Sequence, residues 1–237
     1  KVNVEQSAYL IEQIPITFYI RQLFSNQTEI RTRGDGKSVV YNDNLSQLKM
    51  DRTTNIITFF ENKPGDETLL YTNNLTQTFT QMKRLGGWQL GMSFSSVDLS
   101  SNIVEYVRYV SSYPILSSGR EGMTQVKATT NGIEKLRTSS LIAQTPLPTK
   151  NKKVTIVGGK DIVAELLNEG FSMNEIEDIR IGYSWTTSSE NNQIVEFIPT
   201  WYIKINNKWK TLSELKADKK AGDAANKQTV GGDGDGL

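Results

Sequence analysis

Residues 176–205 read IEDIRIGYSWTTSSENNQIVEFIPTWYIKI, and this stretch decides the fold. Its two ends, 176–187 and 193–205, are rich in β-branched and aromatic residues, and the segment between them is polar. Two such runs on either side of a short polar segment are typical of antiparallel strands joined by a turn. We therefore predict a long β-hairpin near the end of the chain.

Similar strand-like runs occur upstream, where they are separated by short turn segments rich in Asn, Asp and Gly. The predicted strands are 28–32, 38–41, 45–50, 55–61, 88–97, 102–110, 123–129 and 133–138. Short turns between consecutive strands favour antiparallel neighbours over parallel ones, which need long crossovers. The chain is therefore expected to form antiparallel meander sheets.

Three segments have the apolar spacing of helices. The first has Leu10, Ile11, Ile14 and Phe18 on one face, with a break at Pro15 and a second helical piece toward Phe24. The others are 74–85, stopped by Gly86 and Gly87, and 161–168, closed by Gly170. Together the segments predict the fold class α+β.

A repeat at an offset of 91 residues relates two parts of the chain. The residues Gly91, Ser93, Ile103, Val104 and Glu105 recur as Gly182, Ser184, Ile194, Val195 and Glu196. This pattern predicts two tandem, duplicated units, 1–112 and 113–215, each with a helix packed on an antiparallel meander sheet. The paired glycines suggest a bulge or a close backbone approach against the packing helix. Residues 216–237 have no aromatic residue and predict a disordered or peripheral low-complexity tail.

Composition excludes several classes of function. The 237 residues include 27 Lys and Arg, 26 Asp and Glu, and no His or Cys. Histidine-based acid–base catalysis, Cys nucleophiles and zinc sites with His or Cys ligands are therefore ruled out. A net charge of +1 also lacks the basic excess of a dedicated nucleic-acid-binding protein.

Two enzyme alternatives remain, and both have weak signals. Ser46 with Lys49 and Ser213 with Lys216 match Ser-x-x-Lys, but the companion motifs of that serine chemistry are absent. The acidic group 175–178 contains a candidate carboxylate pair, although a salt bridge from Asp178 to Arg180 at strand spacing is the simpler interpretation. We predict no catalytic, cofactor-binding or metal-binding residues.

The last hairpin carries the candidate partner-binding residues. Because side chains alternate along a strand, Trp201 and Ile203 share one face, which is expected to pack on helix 161–168. Tyr202 and Lys204 then lie on the outer face, with Trp209 at its rim. Interface centres favour such aromatic and cationic residues, so Tyr202, Lys204 and Trp209 are predicted to bind a partner.

Several segments resemble the YycH family. They are 176–183, 197–204 and Lys208-Trp209, with upstream pieces at 14–19, 23–24, 41–43, 48–51, 87–88 and 113–115. The resemblance covers roughly residues 8–215, and the sister family YycI is the second choice. The family's N-terminal transmembrane helix and first extracytoplasmic domain have no counterpart in these residues.

The resemblance implies a non-catalytic extracytoplasmic regulator, anchored to the membrane by an N-terminal transmembrane helix absent from this chain. Its partners would be a YycI-like protein and a YycG/WalK-like sensor histidine kinase of a two-component system that controls cell-wall metabolism. The expected effect is restraint of that kinase. The alternatives are a cell-wall-associated Ser/Lys or carboxylate enzyme and a module that binds wall polymers.

Overall fold

The computed structural model of the chain describes residues 1–62, 71–85, 91–117, 119–129 and 132–230. Its strands are β1 (Val2–Gln13), β2 (Arg31–Gly34), β3 (Ser38–Asn42), β4 (Ser46–Asp51), β5 (Ile56–Glu61), β6 (Met92–Asp98), β7 (Ile103–Val110), β8 (Tyr113–Pro114), β9 (Met123–Thr129), β10 (Gly132–Ser139), β11 (Leu141–Pro146), β12 (Lys152–Ile156), β13 (Asp178–Thr187), β14 (Ile194–Ile205) and β15 (Lys208–Thr211). Its helices are α1 (Ile16–Leu23), α2 (Tyr71–Arg84), α3 (Gly159–Asn168) and α4 (Leu212–Val230). The predicted α+β class is confirmed. The predicted stop at Gly86 and Gly87 and the strand start at Trp88 lie outside the described residues.

A nine-stranded antiparallel sheet is the largest element. Its strand order is β2-β3-β4-β5-β10-β9-β7-β6, and β8 pairs with β7. Three aspartates shape the turns of the β2–β5 meander, because each carboxylate accepts two backbone N–H groups from the residues that follow it. They are Asp35, Asp43 and Asp51. These turns confirm the predicted meander over residues 28–61.

Helices α1 and α2 pack on one face of this sheet. Tyr19 and Leu23 of α1 and Met82 of α2 are buried against Leu48, Phe59 and other sheet residues. Along β4 and β5 the other side chains point to the opposite face and are mostly exposed. The sheet is therefore covered by helices on one face and open to solvent over part of the other.

The N-terminal prediction is wrong in part, since residues 2–13 form strand β1 and not a helix. Tyr9 and Leu10 pair with residues of both β11 and β14, and the register toward β11 shifts between Leu10 and Ile11. Because of that bulge, the adjacent apolar residues Leu10 and Ile11 depart from the strict alternation of a strand, and their spacing resembles that of a helix. The second helical piece is confirmed, because α1 follows Pro15 and ends at Leu23 with Phe24 as its C-cap.

The chain divides into two compact units whose boundaries differ from the predicted 112/113. The α3 unit consists of residues 1–5, 153–182 and 199 onward, and the large-sheet unit consists of 6–152 and 183–198. Strands β9 and β10 pair with β7 and β5, so residues after 113 complete the sheet begun before it. The units are therefore interleaved along the sequence and not arranged in tandem.

The predicted duplication is not supported by the strand connections. In the first hairpin, β7 pairs with β9, the next long strand of the chain. In the second, β14 pairs through Ile194–Phe197 with β1, the first strand of the chain. The hairpins β6–β7 and β13–β14, which the repeat predicted to be equivalent, therefore pair with strands from different parts of the chain. At Gly91 a close approach is found, but to the backbone of β7 and not to the packing helix as predicted: φ is +85°, and a Cβ atom there would lie 2.4 Å from the Tyr109 carbonyl oxygen.

Part of the predicted tail is helical. Helix α4 runs through Val230, and the boundary predicted at 215 falls inside its first two turns. Leu215 is buried with Ile162, Leu166 and Ile203, which anchors the helix, whereas residues 217–222 are exposed. A helix anchored at one end can continue into solvent without burying further apolar residues. Composition alone therefore did not predict that residues after 215 are helical. The glycine-rich run 231–236 lies outside the described residues.

Candidate partner-binding surface

A tight hairpin positions two of the predicted partner-binding residues. Asn206 and Asn207, between β14 and β15, have φ values of 50° and 59°. Positive φ at both central residues is the requirement of a type I′ turn, and Asn tolerates it better than most residues. The resulting register places Lys204 directly opposite Trp209.

Strand β13 adds charged residues beside this pair. The Arg180 guanidinium lies over the Trp209 ring, 4.7 Å from its centroid, and also forms an ion pair with Asp178. Lys204 pairs with Glu177 at 3.4 Å. We call Glu177, Asp178, Arg180, Lys204 and Trp209 the Trp209 surface. It combines an aromatic ring with two cations and two carboxylates, a mixture that suits recognition of a protein partner.

Glu177 links the two strands of this surface. Its carboxylate accepts a hydrogen bond of 2.8 Å from the Asn207 backbone N–H. That bond, followed by the bond and charge of Lys204, lowers the pKa of Glu177 from its ordinary value. The carboxylate therefore stays ionised at neutral pH and holds the turn and Lys204 in place. Glu177 and Arg180 were not predicted as members of this surface, although the spacing of Asp178 and Arg180 predicted the ion pair between those two residues.

Tyr202 is buried, contrary to the prediction that it lies on an open face. Its side chain is only 1% exposed, whereas that of Lys204 is 23% exposed. The alternation was predicted correctly, because Tyr202 pairs with Thr211 on the same face as Lys204 and Trp209. However, Tyr202 lies further from the hairpin end, in a strand flanked by β13 and β15. Lys204 and Trp209 remain the accessible members of the predicted set.

The inner face of β14 follows the prediction. Ile203 is buried against Ile162 and Leu166 of α3, and Trp201 packs beside them. The Trp201 indole N–H donates to the Val157 carbonyl at 3.0 Å, and the ring lies against Gly159. These contacts fix Trp201 as one wall of an open groove of about 500 Å³, which we call the Trp201 groove.

The Trp201 groove contains one Ser-x-x-Lys pair but does not support serine catalysis. Lys216 forms ion pairs of 2.7 and 2.9 Å with Glu165 and Glu169. These carboxylates raise the pKa of Lys216, so its amine stays protonated and cannot act as the base for Ser213. The Ser213 hydroxyl contacts Thr211 at 3.0 Å.

The other Ser-x-x-Lys match is also unsuitable. Ser46 is buried and Lys49 is exposed, because residues three apart on strand β4 point to opposite faces. The candidate carboxylates are engaged elsewhere as well. Glu175 accepts the Ser172 N–H, Glu177 bonds Asn207 and Lys204, and Asp178 pairs with Arg180. Neither enzyme alternative is supported by these contacts.

The described ranges have neither a cluster of acidic side chains suited to a metal ion nor a membrane-spanning helix. In that part of the chain, no group of three or more Asp and Glu side chains is arranged to hold a metal ion. Within the same ranges, no helix has the length and apolar character that a membrane crossing requires.

Fold and surfaces together define a two-unit α+β protein with a mixed aromatic and charged surface suited to protein recognition. Residues 1–219 match the family described as YycH protein, C-terminal domain, so the chain belongs to the YycH family. The family predicted from the sequence is confirmed. No curated protein matches the chain.

A solved structure supports the fold. The crystal structure of YycH from Bacillus subtilis matches with a TM-score of 0.68 and 15% identity, over 89% of this chain and 52% of that one. This chain therefore spans about half the length of that relative. The C-terminal domain of YpeB from Bacillus megaterium matches with a TM-score of 0.40 and 12% identity, over 83% of this chain and 90% of that one.

Proposed function

We propose that this domain is a non-catalytic regulatory module that acts on a YycG/WalK-like sensor histidine kinase through protein contacts. The observation that carries the proposal is the match of residues 1–219 to the YycH family. The contacts of Ser213, Lys216 and the carboxylate candidates agree with a non-catalytic role, since these groups are engaged in structural bonds or ion pairs. Ser46 and Lys49 lie on opposite faces of β4.

The finer part of the proposal concerns partners and location. The domain works with a YycI-like protein at the extracytoplasmic face of the cell membrane, held there by an N-terminal anchor. In this complex it restrains the kinase that controls cell-wall metabolism. These statements rest on the family resemblance.

We further propose that the Trp209 surface contributes to the contact with the YycI-like partner. Trp209 offers an aromatic ring already stacked with Arg180, and Lys204 lies directly opposite it. Aromatic and Arg side chains are enriched among the residues that contribute most to binding energy at interfaces. Because these side chains are already held by neighbouring contacts, little conformational entropy is lost when a partner binds.

The test is affinity purification of the anchored full-length protein from its native membrane. Recovery of the histidine kinase and the YycI-like protein is the expected result, and recovery of neither would contradict the proposed class. Kinase autophosphorylation in the presence and absence of the protein then tests restraint. An increase of phosphorylation on adding the protein would contradict the proposed sign.

The contact is tested with Lys204→Ala and Trp209→Ala combined. We expect the complex with the YycI-like partner to weaken by about 1–3 kcal/mol. The matched control is Lys152→Ala with Lys153→Ala, which changes two exposed residues on β12. Equal affinities for both variants would place the interface elsewhere.

A further inference from the structure

The open face of the nine-stranded sheet carries a concentration of positive charge. Residues directly opposite each other in a sheet lie on the same face. The strand registers therefore place Arg33, Val40, Lys49, Thr58 and Arg137 in one row across β2, β3, β4, β5 and β10. A parallel row contains Arg31, Asn42, Gln47, Phe60, Lys135 and Lys127. Both rows lie opposite the helices.

This surface, which we call the basic face, has more cations than carboxylates. Its cations are Arg31, Arg33, Lys49, Arg120, Lys127, Lys135 and Arg137, and its carboxylates are Asp51, Glu105 and Glu134. Glu134 pairs with Lys127 at 2.7 Å, and Glu105 lies 4.0 Å from Arg120. Within the described residues, Arg33, Lys49 and Arg137 have no carboxylate within 4.0 Å. The near-zero net charge of the whole chain thus conceals an uneven distribution.

Like charges on this face repel each other. Partial burial lowers the pKa of the Arg137 guanidinium from its ordinary value, and the nearby Arg120 charge lowers it further. An anion bound between them would relieve this repulsion. Backbone hydrogen bonds lower the pKa of Asp51 and the Lys49 charge lowers it further, so that cation is compensated in part. Arg33 and Arg137, which have no carboxylate of the described residues within ion-pair distance, have the arrangement expected where the counter-charge comes from a ligand.

The spacing of the row suits an extended anion. Neighbouring strands are about 4.8 Å apart, so Arg33, Lys49 and Arg137 lie at intervals of about 10 Å along a line of about 20 Å. The rotation of adjacent strands by about 20–25° turns the surface by roughly 90° over these five strands. A planar membrane touches only part of such a surface, whereas a flexible chain follows the twist.

We propose that the basic face binds a flexible linear phosphate polymer, in which phosphates about 10 Å apart along the polymer pair with Arg33, Lys49 and Arg137. Guanidinium and ammonium groups are the usual partners of phosphate oxygens in proteins. The exposed Phe60 ring, which lies under the Lys135 ammonium at 5.7 Å, keeps that cation on the same surface. This binding is separate from the Trp209 surface, which lies in the other unit.

The experiment uses the full chain and fluorescently labelled inorganic polyphosphate of defined length, titrated by anisotropy at several salt concentrations. The variant Arg33→Gln, Lys49→Gln, Arg137→Gln removes three exposed charges from the basic face. We expect its affinity to fall by at least about tenfold and its salt slope to become shallower by about 2, from about 0.7 for each lost phosphate contact.

The matched control is Lys152→Gln, Lys153→Gln, Lys160→Gln, which removes the same charge from exposed positions elsewhere. Its affinity is expected to stay within about twofold of the original. Equal losses in both triple variants would overturn the proposal, because they would show attraction to net charge alone. Tighter binding to phosphatidylglycerol vesicles than to polyphosphate, or competition by orthophosphate at equal phosphate concentration, would also overturn it. Thermal melts of both variants confirm that the fold is retained.

Discussion

At the scale of single residues, Tyr202 and Lys204 share one face of β14 but differ in burial. Tyr202→Ala removes a fully buried aromatic ring, so we expect it to lower the free energy of unfolding by about 3–5 kcal/mol. Lys204→Ala removes one member of a partly exposed ion pair and should cost less than about 1 kcal/mol. Urea denaturation measures both, and equal losses would contradict the burial described for Tyr202.

Gly91 provides a second test at this scale. Gly91→Ala introduces a Cβ atom at positive φ and 2.4 Å from the Tyr109 carbonyl oxygen. We expect a loss of about 2 kcal/mol or more in the free energy of unfolding, because both strain and a steric overlap result. Gly36→Ala is the control, since nothing lies within 4 Å of the added atom, and it should change stability by less than about 0.5 kcal/mol. Similar values for the two variants would contradict the close approach at Gly91.

Glu177 gives a pH-dependent expectation. Its pKa is lower in the folded than in the unfolded protein, so its contribution to stability is present above the unfolded pKa, about 4.3. That contribution is lost as the pH falls through the folded pKa. Glu177→Gln should therefore be less stable than the original at pH 7, and the difference should shrink below pH 4. A difference that is constant with pH, measured by urea denaturation, would rule out the proposed role of the ionised carboxylate.

At the scale of elements, strands with local turn chemistry were predictable and strands defined by distant partners were not. The β2–β5 meander follows from alternation and from aspartates placed to accept backbone N–H groups. Strand β1 was mistaken for a helix because its bulge at Leu10 and Ile11 depends on pairing with β11, more than 130 residues away. Strands β11, β12 and β15 were not predicted, since they are short and weakly apolar.

The candidate surface was also predictable from local sequence only in part. Alternation placed Lys204 on the outer face, and Trp209 was predicted at its rim; the register places the two directly opposite each other. Burial of Tyr202 depends on strands on both sides of β14, which periodicity does not report. Arg180 joins the surface through contact between β13 and β15 residues that are distant in sequence.

Helix α4 carries the prediction that belongs to this scale. Leu215 is buried in the cluster with α3, and Leu212 of the same helix packs against that cluster. Leu215→Ala should therefore lower the free energy of unfolding by about 2–5 kcal/mol. Lys220→Ala, at an exposed position of the same helix, should change it by less than about 0.5 kcal/mol. Hydrogen exchange should show amide protection that decreases beyond Lys216. Protection as strong at 220–222 as at 215 would indicate an additional anchor for the helix.

At the scale of the whole molecule, composition and charge distribution lead to different expectations about anion binding. A net charge of +1 argued against a dedicated nucleic-acid-binding protein, yet the sheet register gathers six cations on one face, and Arg120 adjoins them near Glu105. Net charge determines solubility and long-range attraction, whereas ligand binding depends on how the charges are arranged locally on the surface. The same register that defines the core face of the sheet, through alternation, also defines the opposite basic face.

The two proposed surfaces should act independently, because they belong to different units and share no residue. The triple variant of the basic face is expected to recover the YycI-like partner and the kinase as well as the original protein does. The Lys204→Ala, Trp209→Ala variant is expected to bind polyphosphate within about twofold of the original, since substitutions without shared partners act additively. Both readouts are measured on the same preparations, with thermal melts to confirm folding. If either variant loses both activities while its fold is intact, the two surfaces are coupled, and assigning one ligand to each is incorrect.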